Sequence, residues 1–79
     1  MAELILLTRP DCGLCETFYA ELAAAFPDIA PRLRIADVDW SEDWRARFGL
    51  RIPVLVSDGA VICEAVFDEG RMRAWIEGD

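Results

Sequence analysis

The chain has 79 residues, 54% of them apolar, and fifteen acids against eight bases give a net charge of −7 at pH 7. That is one domain at most, residues 1–79, apolar enough to pack a core without the disulfides or metals that often reinforce chains of this size. It lacks the low hydrophobicity of a disordered chain, and its acidic balance argues against a nucleic-acid or anionic-membrane partner, since no basic surface is there to release counterions.

The missing residue types narrow the chemistry further. There is no His, Lys, Asn or Gln, and every basic side chain is an arginine. Without His there is no Ser–His or Cys–His couple and no imidazole metal ligand. Without Lys there is no Schiff base and no Walker-type phosphate loop. Carboxylates, arginines and three cysteines remain. The run Leu4–Leu7 is too short to span a bilayer and has no basic segment before it. A soluble, cytoplasmic protein is expected, with its odd number of cysteines suited to redox or metal chemistry rather than a disulfide framework.

In chain order, Glu3–Thr8 reads as a strand whose unbroken apolar run suits a central position covered on both faces. A helix follows over about Cys12–Phe26, with Leu14, Phe18, Leu22 and Ala25 at helical spacing and Pro27 ending it. Arg32–Asp39 alternates like an edge strand with one covered face. Ser41 is placed to cap a short helix, with Glu42 and Asp43 in its first turn and Gly49 at its end. Pro53–Val56 is again continuously apolar and therefore central. Asp58-Gly59 is a two-residue hairpin signal leading into a strand over about Ala60–Ala65. Asp68 caps a last helix with Met72, Trp75 and Ile76 as its apolar stripe.

The order βαβαββα puts the first two strands parallel across a right-handed crossover. Placing the two fully apolar strands side by side gives a four-stranded mixed α/β sheet of order 2-1-3-4. Its last hairpin runs antiparallel, and helices lie on both faces.

The residues with chemistry lie at the end of the first strand: Thr8-Arg9-Pro10-Asp11-Cys12-Gly13-Leu14-Cys15. Cysteines at i and i+3 in a first helical turn share a face and bring their sulfurs within bonding distance. Unpaired N–H groups and the positive end of the helix dipole favour the thiolate of Cys12. Arg9 acts in the same direction, and Asp11 and Glu16 oppose it. Cys15, one turn in, is expected to be the less exposed thiol. The pair is also half of a four-cysteine zinc site, but only Cys63 remains as a further ligand, so no metal is expected.

These residues, with Val38-Asp39 and Arg51-Ile52-Pro53-Val54, resemble a thioredoxin-fold protein of the glutaredoxin type, most of all the short bacterial glutaredoxin-like proteins. The resemblance spans essentially the whole chain. It implies Cys12 as nucleophile and Cys15 as resolving thiol. It also implies a cis Pro53 facing the pair, and the main chain of Ile52 pairing with a bound thiol. Taken by itself, a proline opening a strand is allowed in the trans form, and only about 5–6% of X–Pro bonds in folded proteins are cis, so the cis expectation rests on the resemblance. Arg9 matches the family's basic residue that meets a glutathione carboxylate, and Arg51 is a second candidate for holding an anionic substrate. Two departures stand out: Gly13-Leu14 replaces the usual Pro-Tyr, and no Gly-Gly pair occurs in Cys63–Glu69. Glutathione, the candidate co-substrate, is therefore expected to bind weakly.

The expected activity is thiol–disulfide exchange by a monomer acting on a disulfide-bearing protein or small thiol, with no resident cofactor. The alternatives are an iron–sulfur module held through Cys12, as in glutaredoxins with a Cys-Gly-Phe-Ser motif, and a non-catalytic adaptor. Cys63 is read as a small core residue. The three tryptophans are read as covering the core.

Overall fold

The computed structural model describes residues 3–78. Strands β1 (Leu4–Thr8), β2 (Leu33–Asp37), β3 (Val54–Ser57) and β4 (Ala60–Glu64) form one sheet of order β2-β1-β3-β4. β1 and β2 are parallel, in the register Leu4↔Leu33 to Thr8↔Asp37, and the other two pairs are antiparallel. Helices α1 (Gly13–Ala25), α2 (Glu42–Phe48) and α3 (Glu69–Glu77) complete the order read from the sequence.

The alternation of side chains across the two central strands divides the core. Leu4, Leu6 and Leu55 face one layer, where Phe18 and Leu22 of α1 and Met72 of α3 cover them. Leu7, Val54 and Val56 face the other, under Phe48 and the partly buried Trp44 of α2. A bulge in β4 lies between the pairs Leu55↔Cys63 and Val56↔Val61. The extra residue lets both Ile62 and Cys63 enter the first layer, which strict alternation would forbid.

The caps are as the sequence indicates. The Ser41 hydroxyl accepts from Trp44 N–H, and the Asp68 carboxylate accepts from Arg71 N–H. Asp58 and Gly59 both adopt positive φ, 51° and 79°, as a two-residue hairpin turn of this kind requires.

Several boundaries and faces differ from expectation. β2 stops at Asp37, because its side chain accepts from Asp39 N–H and tightens Val38–Trp40 into a 3₁₀ turn. α1 begins at Gly13, with Cys12 as its cap. The buried stripe of α1 is Cys15, Phe18 and Leu22, and Leu14 points outward at 63% exposure. Ile76 is likewise exposed, leaving Met72 and the partly buried Trp75 to anchor α3. On β2, Leu33 packs partly buried against the first layer but Ile35, on the same face, is 52% exposed, so the edge strand's apolar alternation is only half covered. Trp40 is also exposed, unlike Trp44 and Trp75.

Candidate functional site

β1 delivers the loop Arg9–Cys12 to one end of the sheet. The register Leu7↔Val54 brings the residues before β3 to that same end. Asp11 turns the loop with φ 59°, a conformation Asp tolerates better than most side chains. Cys12 then caps α1 from an extended conformation, and its Sγ accepts from Cys15 N–H at 3.1 Å. Cys12 and Cys15 are joined by a disulfide, their Cα atoms 5.2 Å apart. Cys12 is partly exposed while Cys15 is buried against the sheet. The two expected site cysteines are thus together, in the expected order of accessibility.

The peptide bond between Ile52 and Pro53 is cis. Pro53 is buried, and its carbonyl accepts from Ala65 N–H at 2.7 Å, tying the start of β3 to the end of β4. Among the described residues the main chain of Ile52 takes part in no hydrogen bond, which leaves both of its polar groups available.

The two arginines sit beside this end of the sheet but are engaged within the chain. Arg9 grips both carboxylate oxygens of Asp39, at 3.0 and 3.1 Å, and donates to the Gly49 carbonyl at 2.7 Å. Its fork therefore joins the β1 loop to the 3₁₀ turn and to the C-terminal end of α2. Gly49 permits this approach, since a Cβ there would lie 3.2 Å from the guanidinium and 2.5 Å from the Arg45 carbonyl. Arg51 makes a two-pronged contact with the Glu64 carboxylate and lies over the Phe48 ring. It thereby ties the loop before β3 to β4. Sequence reasoning gave both arginines to an incoming anion. Their partners, thirty and thirteen residues away, show in no local pattern.

These pairs have an acid signature. The Arg9 hydrogen bond holds the Asp39 carboxyl below its ordinary value, and Arg51 does the same for Glu64. A carboxylate lowered on folding contributes stability above its unfolded value and loses it as pH falls through the folded one. The thermal midpoint is therefore expected to fall as pH drops below about 4. Asp39→Asn combined with Glu64→Gln should lower the midpoint at neutral pH and flatten that acid slope. Equal slopes in variant and parent, measured by thermal denaturation, would count against the assignment.

Beside the disulfide runs a largely apolar groove of about 300 Å³. Leu6, Tyr19 and Ile35 line it, and the exposed carboxylates of Asp11 and Glu16 border it. The uncovered face of β2 forms one wall. Cys63 lies elsewhere, buried in the first layer, where burial pushes its thiol above the ordinary value. Among the described residues no cluster of three or more potential ligands gathers where a metal ion would sit, and no helix is long and apolar enough to cross a membrane.

Known proteins are similar to this chain. Uncharacterised proteins of Mycobacterium tuberculosis and Mycobacterium bovis are each 34% identical over 74 residues, covering 87% of this chain and 76% of theirs. The X-ray structure of the structural-genomics target XcR50 from X. campestris superposes with a TM-score of 0.72 at 32% identity, covering 96% of this chain and 97% of that one. The profile of the Glutaredoxin-like domain (DUF836) matches residues 3–77, and with its thioredoxin-type fold and Cys12–Cys15 pair the chain belongs to that family.

Proposed function

We propose that the protein is a thiol–disulfide oxidoreductase. The observation that carries this is the placement of the cysteines: Cys12 is accessible at the cap of α1, and Cys15 is buried one turn in with its N–H directed at the Cys12 sulfur. In the reduced chain that N–H and the helix N-terminus stabilise a thiolate on Cys12. The thiolate attacks one sulfur of a substrate disulfide, forming a mixed disulfide and releasing the first thiol. Cys15 then attacks the Cys12 sulfur, closes the Cys12–Cys15 bond and releases the second thiol. The substrate gains two electrons and the protein loses two.

The free N–H and C=O of Ile52, at the same end of the sheet, offer an extended segment a partner, with Pro53 setting the turn beside them. No resident cofactor or second subunit is required, and the substrate is a protein disulfide or the disulfide of a small thiol compound. Arg9 and Arg51 act by positioning the Cys12 and Ile52 loops, since their forks are already engaged. Glutathione is accordingly a poor co-substrate.

Alkylation of the fully reduced protein near neutral pH, followed by peptide mass analysis, tests the assignment. Cys12 should be modified first and Cys63 last. Preferential modification of Cys15 or Cys63 would overturn it.

A further inference from the structure

The groove beside the dithiol has a charge pattern that the exchange chemistry alone does not require. Among the described residues Arg9 is the only cation lining it, and that charge is matched by Asp39. Asp11 and Glu16 have no ion-pair partner among the described residues and stay exposed next to the sulfurs. On the Ile52 side Arg51 is paired with Glu64, and Arg45 of α2 acts on the Arg9-paired Asp39 but does not line the groove. The groove itself therefore offers no unpaired positive charge among the described residues and carries two uncompensated negative ones. The whole chain adds to this field with its charge of −7.

We propose, resting on the oxidoreductase reading, that the substrate is a disulfide within a basic polypeptide segment. An apolar side chain of that segment lies in the groove between Tyr19 and Ile35, and flanking lysines or arginines face Asp11 and Glu16. Two opposite charges at surface separations favour such a substrate over its acidic counterpart by on the order of tenfold. The exchange itself is the one described above: Cys12 forms the mixed disulfide with the segment's cysteine, and Cys15 releases it as a thiol.

The test uses single turnovers of the pre-reduced protein with two peptide disulfides. Both carry the same leucine and cysteine, flanked by lysines in one and by glutamates in the other. Each rate is divided by that of dithiothreitol with the same peptide, which removes the peptides' intrinsic reactivity. Cystamine and dithiodipropionate serve as the small cationic and anionic disulfides.

The expected result is a normalised lysine-to-glutamate ratio of roughly ten at low salt, falling at least threefold at 1 M salt, where the Debye length is about 3 Å. Asp11→Asn combined with Glu16→Gln should lower the ratio threefold or more. Asn suits the positive φ at position 11, and circular dichroism checks the fold. Because the ratio is taken within one variant, any change in Cys12 reactivity cancels.

A ratio within twofold of one, a preference for the glutamate peptide, or a ratio untouched by the double variant would overturn the proposal. So would a preference between the two small disulfides as large as that between the peptides, which would place the selection on small molecules. If dithiothreitol reduces all four compounds and the protein reduces none, the oxidoreductase reading itself falls.

Discussion

Cys12→Ser is expected to remove disulfide exchange down to the background rate, a loss of at least ~10³-fold, because no other accessible sulfur can take its place. Cys15 is buried against the sheet and Cys63 is buried in the first core layer. Cys15→Ser should behave differently. It keeps the first attack but cannot resolve it, so the chain should accumulate as a mixed disulfide, visible as a mass increase of one substrate thiol less two hydrogens. Cys63→Ala should leave the exchange rate unchanged and cost only a little stability through lost packing. Mass spectrometry and single-turnover kinetics read all three. Full activity in Cys12→Ser, or resolved product from Cys15→Ser, would contradict the assigned roles.

Phe18→Ala is expected to destabilise the fold by about 3–5 kcal/mol, the usual cost of emptying a fully buried phenylalanine site. Phe18 is 1% exposed and stands edge-on to Phe67 at 5.5 Å. It follows Cys15 on the buried face of α1, so the same ring that fills the layer also holds the helix carrying the dithiol. A chain of this length has a total stability of roughly 4–12 kcal/mol at ~0.05–0.15 kcal/mol per residue. The variant should therefore lose a large share of that stability, and exchange should slow as its unfolded fraction grows. Urea unfolding would show it as a lower midpoint with an unchanged slope. A loss below about 1.5 kcal/mol would mean that the layer closes over the gap.

Much of the architecture could be read from where the apolar runs fall. Leu4–Leu7 and Val54–Val56 are apolar without interruption, so they belong at the centre. That alone, with the crossover rule, gave the order 2-1-3-4 found in the sheet. The helix caps at Ser41 and Asp68 and the turn at Asp58-Gly59 were equally legible, because each acts on its immediate neighbours. The cysteine pair was legible for the same reason.

What escaped was set by distant partners. Leu14 and Cys15 are adjacent and both apolar, and only the position of the sheet decides which of them turns inward. Ile35 alternates correctly, but α1 leaves that part of β2 open, and the groove exists because of it. The bulge that carries Ile62 and Cys63 inward together shows only in the pairing with β3. Arg9 and Arg51 read as binding groups because their charges were visible and their carboxylate partners were not.

The burial of Cys63 also governs how copies of the chain meet one another under oxidising conditions. Once Cys12 and Cys15 have closed on each other, the remaining cysteine, Cys63, is only 3% exposed, and burial pushes its thiol above the ordinary value. The oxidised protein thus presents no exposed thiol to a neighbouring molecule. Covalent dimers and scrambled pairings are blocked without a third cysteine having to be removed, and repeated oxidation returns the same single-chain species.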